Sequence, residues 1–267
     1  MSITTLLLVT GCISDKETKN TNSRTEKMLF IAHRGESNDA PENTLKAFRL
    51  AWQRDTDGIE LDIHLTADGK IVCIHDADTS RVGDKKLVVA KESYEALSKV
   101  DVGEGERIPL LSEVLKESPI DRQIYIEIKT GPEILPALQK LIKSFPAKIK
   151  NLRIISFEDN SLKEAKKIFP DIPMYILSEV KWNGKENRFE PDAKKLIALQ
   201  KEMQVEGFDL EASDEITEEF LAALKKNNSQ IAVWTVDDIA KAKKFKSLGV
   251  DVITSNRAAY LKEHMEQ

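Results

Sequence analysis

Cysteine is nearly absent from this 267-residue sequence. Only Cys12 and Cys73 occur, so no disulfide framework organises the fold. Cys73 sits in the apolar run Ile71-Val72-Cys73-Ile74 and reads as a buried, inert thiol. Long apolar runs are missing too. The stretch 3–10 is far short of the ~20 residues that a membrane helix needs. No block of basic residues exists: Lys+Arg 40 and Asp+Glu 45 are interspersed, for a net charge of -5. That balance excludes nucleic acid as an expected partner. The Lys-rich stretches 163–167 and 241–246 have helical spacing and read as solvated helix faces. Internal repeats are absent, as is any interior linker. What remains is an ordinary globular composition, 41% hydrophobic and 32% charged, sufficient for one sizeable core.

Short apolar runs recur at 29–32, 58–62, 124–128, 152–157, 174–177, 205–210, 231–236 and 250–254. Most are followed by an amphipathic stretch. Alternation of this kind predicts a parallel sheet. Eight units in about 240 residues predict an α/β TIM barrel, (β/α)8. Helix boundaries are marked in places. Asn43 is expected to cap a helix that starts at Thr44. Thr217 opens another that stops near Asn227-Asn228, where Asn tolerates a left-handed backbone. Ser247-Leu248-Gly249 closes a third.

A ninth run, 70–75, follows Gly58–His64 across Ala67-Asp68-Gly69, a hairpin signal. So short a turn cannot join parallel neighbours. The two runs should form an antiparallel arm at the C-terminal rim, returning His75 to the level of Leu61 and Asp62. Residues 81–108 should form a small insertion over the same face, with 94–100 as its helix, and are the expected seat of selectivity.

The chemistry lies at the ends of these runs. Glu60 and Asp62 share a strand face, and two adjacent carboxylates repel unless a cation lies between them. Glu127 ends another run. Three hard oxygen ligands suit Ca2+ or Mg2+. His33 and His75 stand beside them, and two histidines at a metal site suit acid–base catalysis. His64, placed out on the arm, and His264, in the C-terminal tail, are given no role. Arg34 can grip two phosphate oxygens and Lys129 can add a point charge, although surface ion pairs would account for either. Trp234, at a strand end, is read as an apolar wall or a core aromatic, and Trp182 as a rim residue.

His33-Arg34-Gly35 with Pro41-Glu42-Asn43-Thr44, then Glu60-Leu61-Asp62 running to His75-Asp76, then Glu127-Ile128-Lys129, resemble the glycerophosphodiester phosphodiesterase family. The likeness covers the chain from about residue 29 onward. Ser156-Phe157 and Trp234-Thr235-Val236-Asp237 match the family as well. One departure is Ala258, where relatives often carry proline. The resemblance implies a divalent cation on Glu60, Asp62 and Glu127, and His33 and His75 as general acid and base. It also implies phosphate binding by Arg34 and Lys129, with Glu42 and Asn43 bracing the first loop. The implied substrate is a small glycerophosphodiester, cleaved to glycerol 3-phosphate and an alcohol. Two other readings stay open. One is a phospholipase acting on intact lipid, similar to phosphatidylinositol-specific phospholipase C or sphingomyelinase D. The other is a non-catalytic protein that captures phosphorylated polyols.

Near the start, Val9-Thr10-Gly11-Cys12 ends the short apolar stretch and a polar segment follows. This resembles a bacterial lipoprotein signal, although no Lys or Arg precedes the apolar stretch. The expectation is a signal and tether over 1–27 and a single catalytic domain over 28–267. Cys12 would be lipidated, placing the protein at the cell envelope, on the periplasmic side. Without that signal the segment would be a cytoplasmic tail.

Overall fold

A computed structural model describes residues 27–265. Eight parallel strands close into a barrel: β1 (Leu29–Ala32), β2 (Gly58–Leu65), β4 (Gln123–Ile128), β5 (Leu152–Ser156), β6 (Met174–Ser178), β9 (Gly207–Glu211), β10 (Gln230–Trp234) and β11 (Val252–Ser255). The ring is sealed by β1, which pairs with β11 at Ile31↔Thr254 and with β2 at Ile31↔Gly58. This is the expected TIM barrel. The expected arm is also present: β3 (Ile71–Cys73) runs antiparallel to β2 in the register Ile63↔Cys73. The amide of Ile74 donates to the Asp62 carbonyl at 3.1 Å, so the chain re-enters the rim at the carboxylates. A two-stranded ribbon, β7 (Lys181–Asn183) with β8 (Arg188–Glu190), projects between β6 and β9.

Helices wrap the outside: α1 (Leu45–Gln53), α3 (Leu111–Glu117), α4 (Leu135–Lys143), α5 (Asp159–Ile168), α6 (Ala193–Met203), α7 (Glu218–Lys225), α8 (Ile239–Ser247) and α9 (Ala258–Met265). The short α2 (Tyr94–Leu97) belongs to the insertion. Outward strand residues such as Ile59, Leu61, Ile124, Ile126 and Ile253 pack against the helices in one large core. Among the described residues, no helix is long and apolar enough to cross a membrane. The reading of Cys12 as a lipidation site lies outside the described residues.

The barrel interior is layered. Ile31, Tyr125, Ile155, Tyr175, Leu177, Ala232 and Val252 form an apolar plug, as in packed barrels of this size. Gly207 makes room near its lower end, because a Cβ there would meet the Gln230 carbonyl oxygen at 1.9 Å. Alternation along each strand then brings polar side chains inward one level higher: Glu60 and Asp62, Glu127, Asp209, Trp234 and Thr254.

The expected cap at Asn43 is corrected. Thr44 caps α1, its Oγ1 accepting from the Ala47 amide at 3.2 Å. Asn43 instead takes a left-handed backbone, φ 57, which frees its side chain for the site. Thr217 caps α7, and Asn228 (φ 60) and Gly249 (φ 76) follow α7 and α8 in left-handed conformation as expected. Cys73 is buried and free. Its run contributes to a second core, in which Val72 and Ile74 pack with Val89, Leu97, Val100 and Ile108 of the insertion.

Candidate active site

The rim of the barrel gathers all eight of the expected residues within one cavity or its immediate wall. His33, Arg34, Glu60, His75, Glu127, Lys129 and Trp234 line a pocket of ≈ 220 Å³, and Asp62 lies directly behind it. Parallel register explains the meeting of the acids: Asp62 on β2 is the partner of Glu127 on β4. Ligand oxygens from Glu60, Asp62 and Glu127 all fall within 4.8 Å of one another. Glu60 and Asp62 are buried, and Glu60 Oε1 and Asp62 Oδ1 have no hydrogen-bond partner. Buried carboxylate oxygens without partners are costly, and a hard divalent cation would satisfy them.

Their electrostatics point the same way. Burial, then the Asp62 and Glu127 charges, pushes the Glu60 carboxyl well above its usual range. Glu127 is pushed to about 7 by burial and by Asp62, against the pull of Lys129. Burial also opposes charge on Asp62, yet Arg34 and Lys129 outweigh it and hold the group below its usual value. With all three ionised the cluster would carry more negative charge than its two basic neighbours offset, which is why two of its carboxyls are raised.

The loop after β1 delivers the first half of the site. Arg34 (φ 55) and Gly35 (φ 83) both take the left-handed backbone. At Gly35 a Cβ would also meet the Ala47 Cβ at 2.6 Å, so glycine alone fits. The turn aims the Arg34 amide at Glu60 Oε2, at 3.0 Å. The Arg34 guanidinium lies 3.3 Å from Asp62 Oδ2 and donates to Glu42 Oε1 at 2.9 Å. Asn43 clamps Asp62 twice: its Nδ2 donates to Oδ2 at 2.8 Å and its Oδ1 accepts from the Asp62 amide at 3.2 Å.

His33 Nδ1 lies 2.7 Å from Asn256 Oδ1. Asn256 Nδ2 donates to the Asp237 carboxylate at 2.7 Å, which orients the amide so that its oxygen faces the imidazole. His33 Nδ1 is therefore the protonated nitrogen, and Nε2, 4.0 Å from Glu60 Oε2, keeps its lone pair. Burial, followed by Arg34, lowers the His33 pKa and keeps the ring neutral. His75 is tied differently. Its Nδ1 meets the Asp76 carboxylate at 2.6 Å, and Lys129 Nζ donates to its Nε2 at 3.1 Å. Lys129 also reaches Glu127 Oε1 at 2.7 Å. Trp234 donates from Nε1 to the Asp209 carbonyl at 3.1 Å and packs edge-on against Phe157, so that it both lines the pocket and packs on the apolar plug. Trp182 packs on Phe189 and does not line the pocket.

Several contributors escaped the sequence reading. His64 lies on the arm as expected, opposite Val72, but it is not idle there. It is buried, with Nε2 3.1 Å from the His75 carbonyl oxygen, and it supports that residue. Asp76 orients His75, a role that adjacency could have suggested. Asn256 and Asp237 form the mount of His33 from about 200 residues away, beyond any local signal, and Ser37, four residues on, donates to the His33 carbonyl at 2.8 Å and to Asn256 Oδ1 at 2.9 Å. Arg81 joins Asp76 to Glu42 through three hydrogen bonds. The insertion also packs on the arm and pairs with α1 through Glu104–Lys46 and with α3 through Arg107–Glu113, and none of its described residues lines the pocket. The insertion, the expected seat of selectivity, thus stands outside this pocket, which is walled by strand ends and the loops that follow them.

A (β/α)8 barrel that gathers acids, histidines and phosphate-compatible cations at its C-terminal rim defines the class of a barrel enzyme with its site where such folds place it. Comparison with known proteins then narrows the class. The profile described as the glycerophosphoryl diester phosphodiesterase family matches residues 33–259, and the chain belongs to that family. It is 34% identical over 242 residues to a glycerophosphodiester phosphodiesterase of Caldanaerobacter subterraneus subsp. tengcongensis, covering 86% of this chain and 94% of the relative. A glycerophosphodiester phosphodiesterase of Bacillus altitudinis is 30% identical over 257 residues, covering 89% and 99%. Among solved structures, an Oleispira antarctica phosphodiesterase in complex with its product sn-glycerol-3-phosphate shares the fold, with TM-score 0.79, 23% identity and coverage of 89% and 96%.

Proposed function

We propose that this protein hydrolyses small glycerophosphodiesters to glycerol 3-phosphate and a free alcohol, in a reaction that depends on a divalent cation. The observation that carries the reading is the meeting of unpartnered buried carboxylate oxygens with two differently mounted histidines and two cations in one cavity. Glu60, Asp62 and Glu127 would hold Ca2+ or Mg2+, which when bound polarises phosphoryl oxygens and lowers the pKa of a bound hydroxyl. Arg34 and Lys129 flank the triad and offset the charge that grows on the phosphoryl oxygens. His33 is neutral and presents a bare Nε2, so it takes the proton of the attacking oxygen. His75, backed by the Asp76 carboxylate, gives a proton from its ring to the leaving oxygen. Trp234 walls the cavity and excludes water. The exposed large apolar side chains among the described residues are Val88, Ile120, Phe157 and Trp182. They form no continuous apolar rim of the kind a lipid surface would require.

The test is release of glycerol 3-phosphate from glycerophosphocholine by the purified protein. Turnover is expected, and none on any of several glycerophosphodiesters would refute the reading. For residues 1–27 the proposal is a signal and tether lipidated at Cys12, ahead of a single catalytic domain over 28–267. A radiolabelled fatty acid should attach to the full-length protein and not to its Cys12→Ser variant.

A further inference from the structure

The cavity has two polar sides, and the diesterase reading uses only one. The β2–β4 side carries the acids, histidines and cations. Across the barrel, the floor carries Asp209 on β9 and Thr254 on β11, with Trp234 of β10 between their strands. Asp209 and Thr254 are each 1% exposed, yet both line the cavity. Asp209 Oδ1 and Thr254 Oγ1 have no hydrogen-bond partner. An unmet carboxyl and an unmet hydroxyl cost stability wherever they are buried. Sequences retain such groups where a ligand completes them.

The surroundings limit what that ligand can be. Neither group lies in the acid cluster: the grouping of possible metal ligands is Glu60, Asp62 and Glu127 alone among the described residues. The Trp234 indole N–H is spent on the Asp209 carbonyl, so the ring offers only its apolar surface. Ile155 and Leu177 complete the floor with aliphatic carbon. A small ligand with carbon faces and hydroxyl groups fits this lining, since a hydroxyl can both donate and accept. At the mouth the lining changes. Phe157 is 44% exposed and stands edge-on to Trp234, and the one charged group beside it, Glu179, is exposed and already paired with Lys181 at 2.6 Å.

We infer that the Asp209 carboxyl and the Thr254 hydroxyl bind the free hydroxyls of the glycerol moiety, so that glycerol points inward and the esterified alcohol leaves past Phe157. The inference rests on the diesterase reading and adds to it a substrate orientation and a selectivity site. Polar groups that must be met by substrate hydroxyls discriminate strongly against substrates that lack them, whereas an exposed mouth whose one carboxylate is already paired makes no such demand on the alcohol.

The experiment compares two diesters in the full-length protein: glycerophosphocholine, and bis(4-nitrophenyl) phosphate, which has no hydroxyls. The variants are Asp209→Leu, Thr254→Val and the conservative Asp209→Asn. For Asp209→Leu and Thr254→Val, the ratio of kcat/KM for glycerophosphocholine to that for the aryl diester should fall about tenfold or more, mainly through KM. Asp209→Asn should recover most of it. Melting temperatures of the first two variants should hold or rise, because an unmet polar group has been removed, whereas a merely structural role would lower them. A wild type that cleaves both diesters, with ratios within about twofold in both variants, overturns the glycerol site alone. A wild type that cleaves only the aryl diester overturns the diesterase reading and this inference together. Should Asp209→Leu fail to fold, Thr254→Val still decides the question.

Discussion

At the scale of residues, the two histidines differ by what holds their Nδ1. An amide oxygen fixes His33 and a carboxylate fixes His75. His33→Ala and His75→Ala should each lower kcat on glycerophosphocholine by about 10²- to 10⁴-fold, with melting temperatures near wild type. Near-normal turnover in either variant would remove that histidine from the mechanism. Asn256→Ala leaves His33 in place but frees its ring, so a smaller loss is expected, about tenfold, with KM little changed. The eight candidates were legible because each falls at the end of an apolar run, in a short motif with a neighbour of matching chemistry. Asn256 and Asp237 were not, since their contact with His33 exists only through closure of β1 against β11. Asp209 and Thr254 were hidden for another reason: each is a lone polar residue in an apolar strand, which a sequence gives no cause to pair.

At the scale of elements, the site depends on strand ends and on one added hairpin. The alternation of apolar runs disclosed all eight barrel strands, and Ala67-Asp68-Gly69 disclosed the arm. It could not disclose that Asn43 would leave the capping of α1 to Thr44, because that choice is driven by Asp62, a tertiary partner. The same holds for His64, whose burial beneath His75 follows from the register of β2 with β3. Arg81 links the insertion to the site through Asp76 and Glu42. Arg81→Ala should loosen His75 and lower kcat/KM about tenfold with little loss of stability, since the pairs it breaks are partly exposed. An unchanged kcat/KM would show that the insertion does not brace the site. Deeper in the barrel, Gly207→Ala drives a methyl into the Gln230 carbonyl. The expected cost is about 1–3 kcal/mol, read in a denaturant titration; a neutral effect would contradict the close approach of β9 and β10.

At the scale of the whole molecule, a barrel filled with apolar side chains below supports a polar layer above that is unstable in isolation. Glu60 and Glu127 have carboxyls raised by burial and mutual repulsion. Groups raised in the folded state stabilise it most below their unfolded pKa, and that contribution is lost as pH rises, for Glu127 through about 7. A bound cation reverses the penalty, and it must displace those protons to bind. The rise in melting temperature on adding Mg2+ or Ca2+ should therefore be larger at pH 8 than at pH 5.5. An equal rise at both would contradict the titration of these acids.

The most direct test of the central claim is glycerol 3-phosphate release from glycerophosphocholine by protein stripped with EDTA, then titrated with Mg2+ or Ca2+, beside Glu60→Gln. The account predicts no turnover in the stripped protein, full recovery with a divalent cation, and little recovery in Glu60→Gln at any cation concentration. Undiminished turnover in EDTA, or equal recovery in Glu60→Gln, would contradict it.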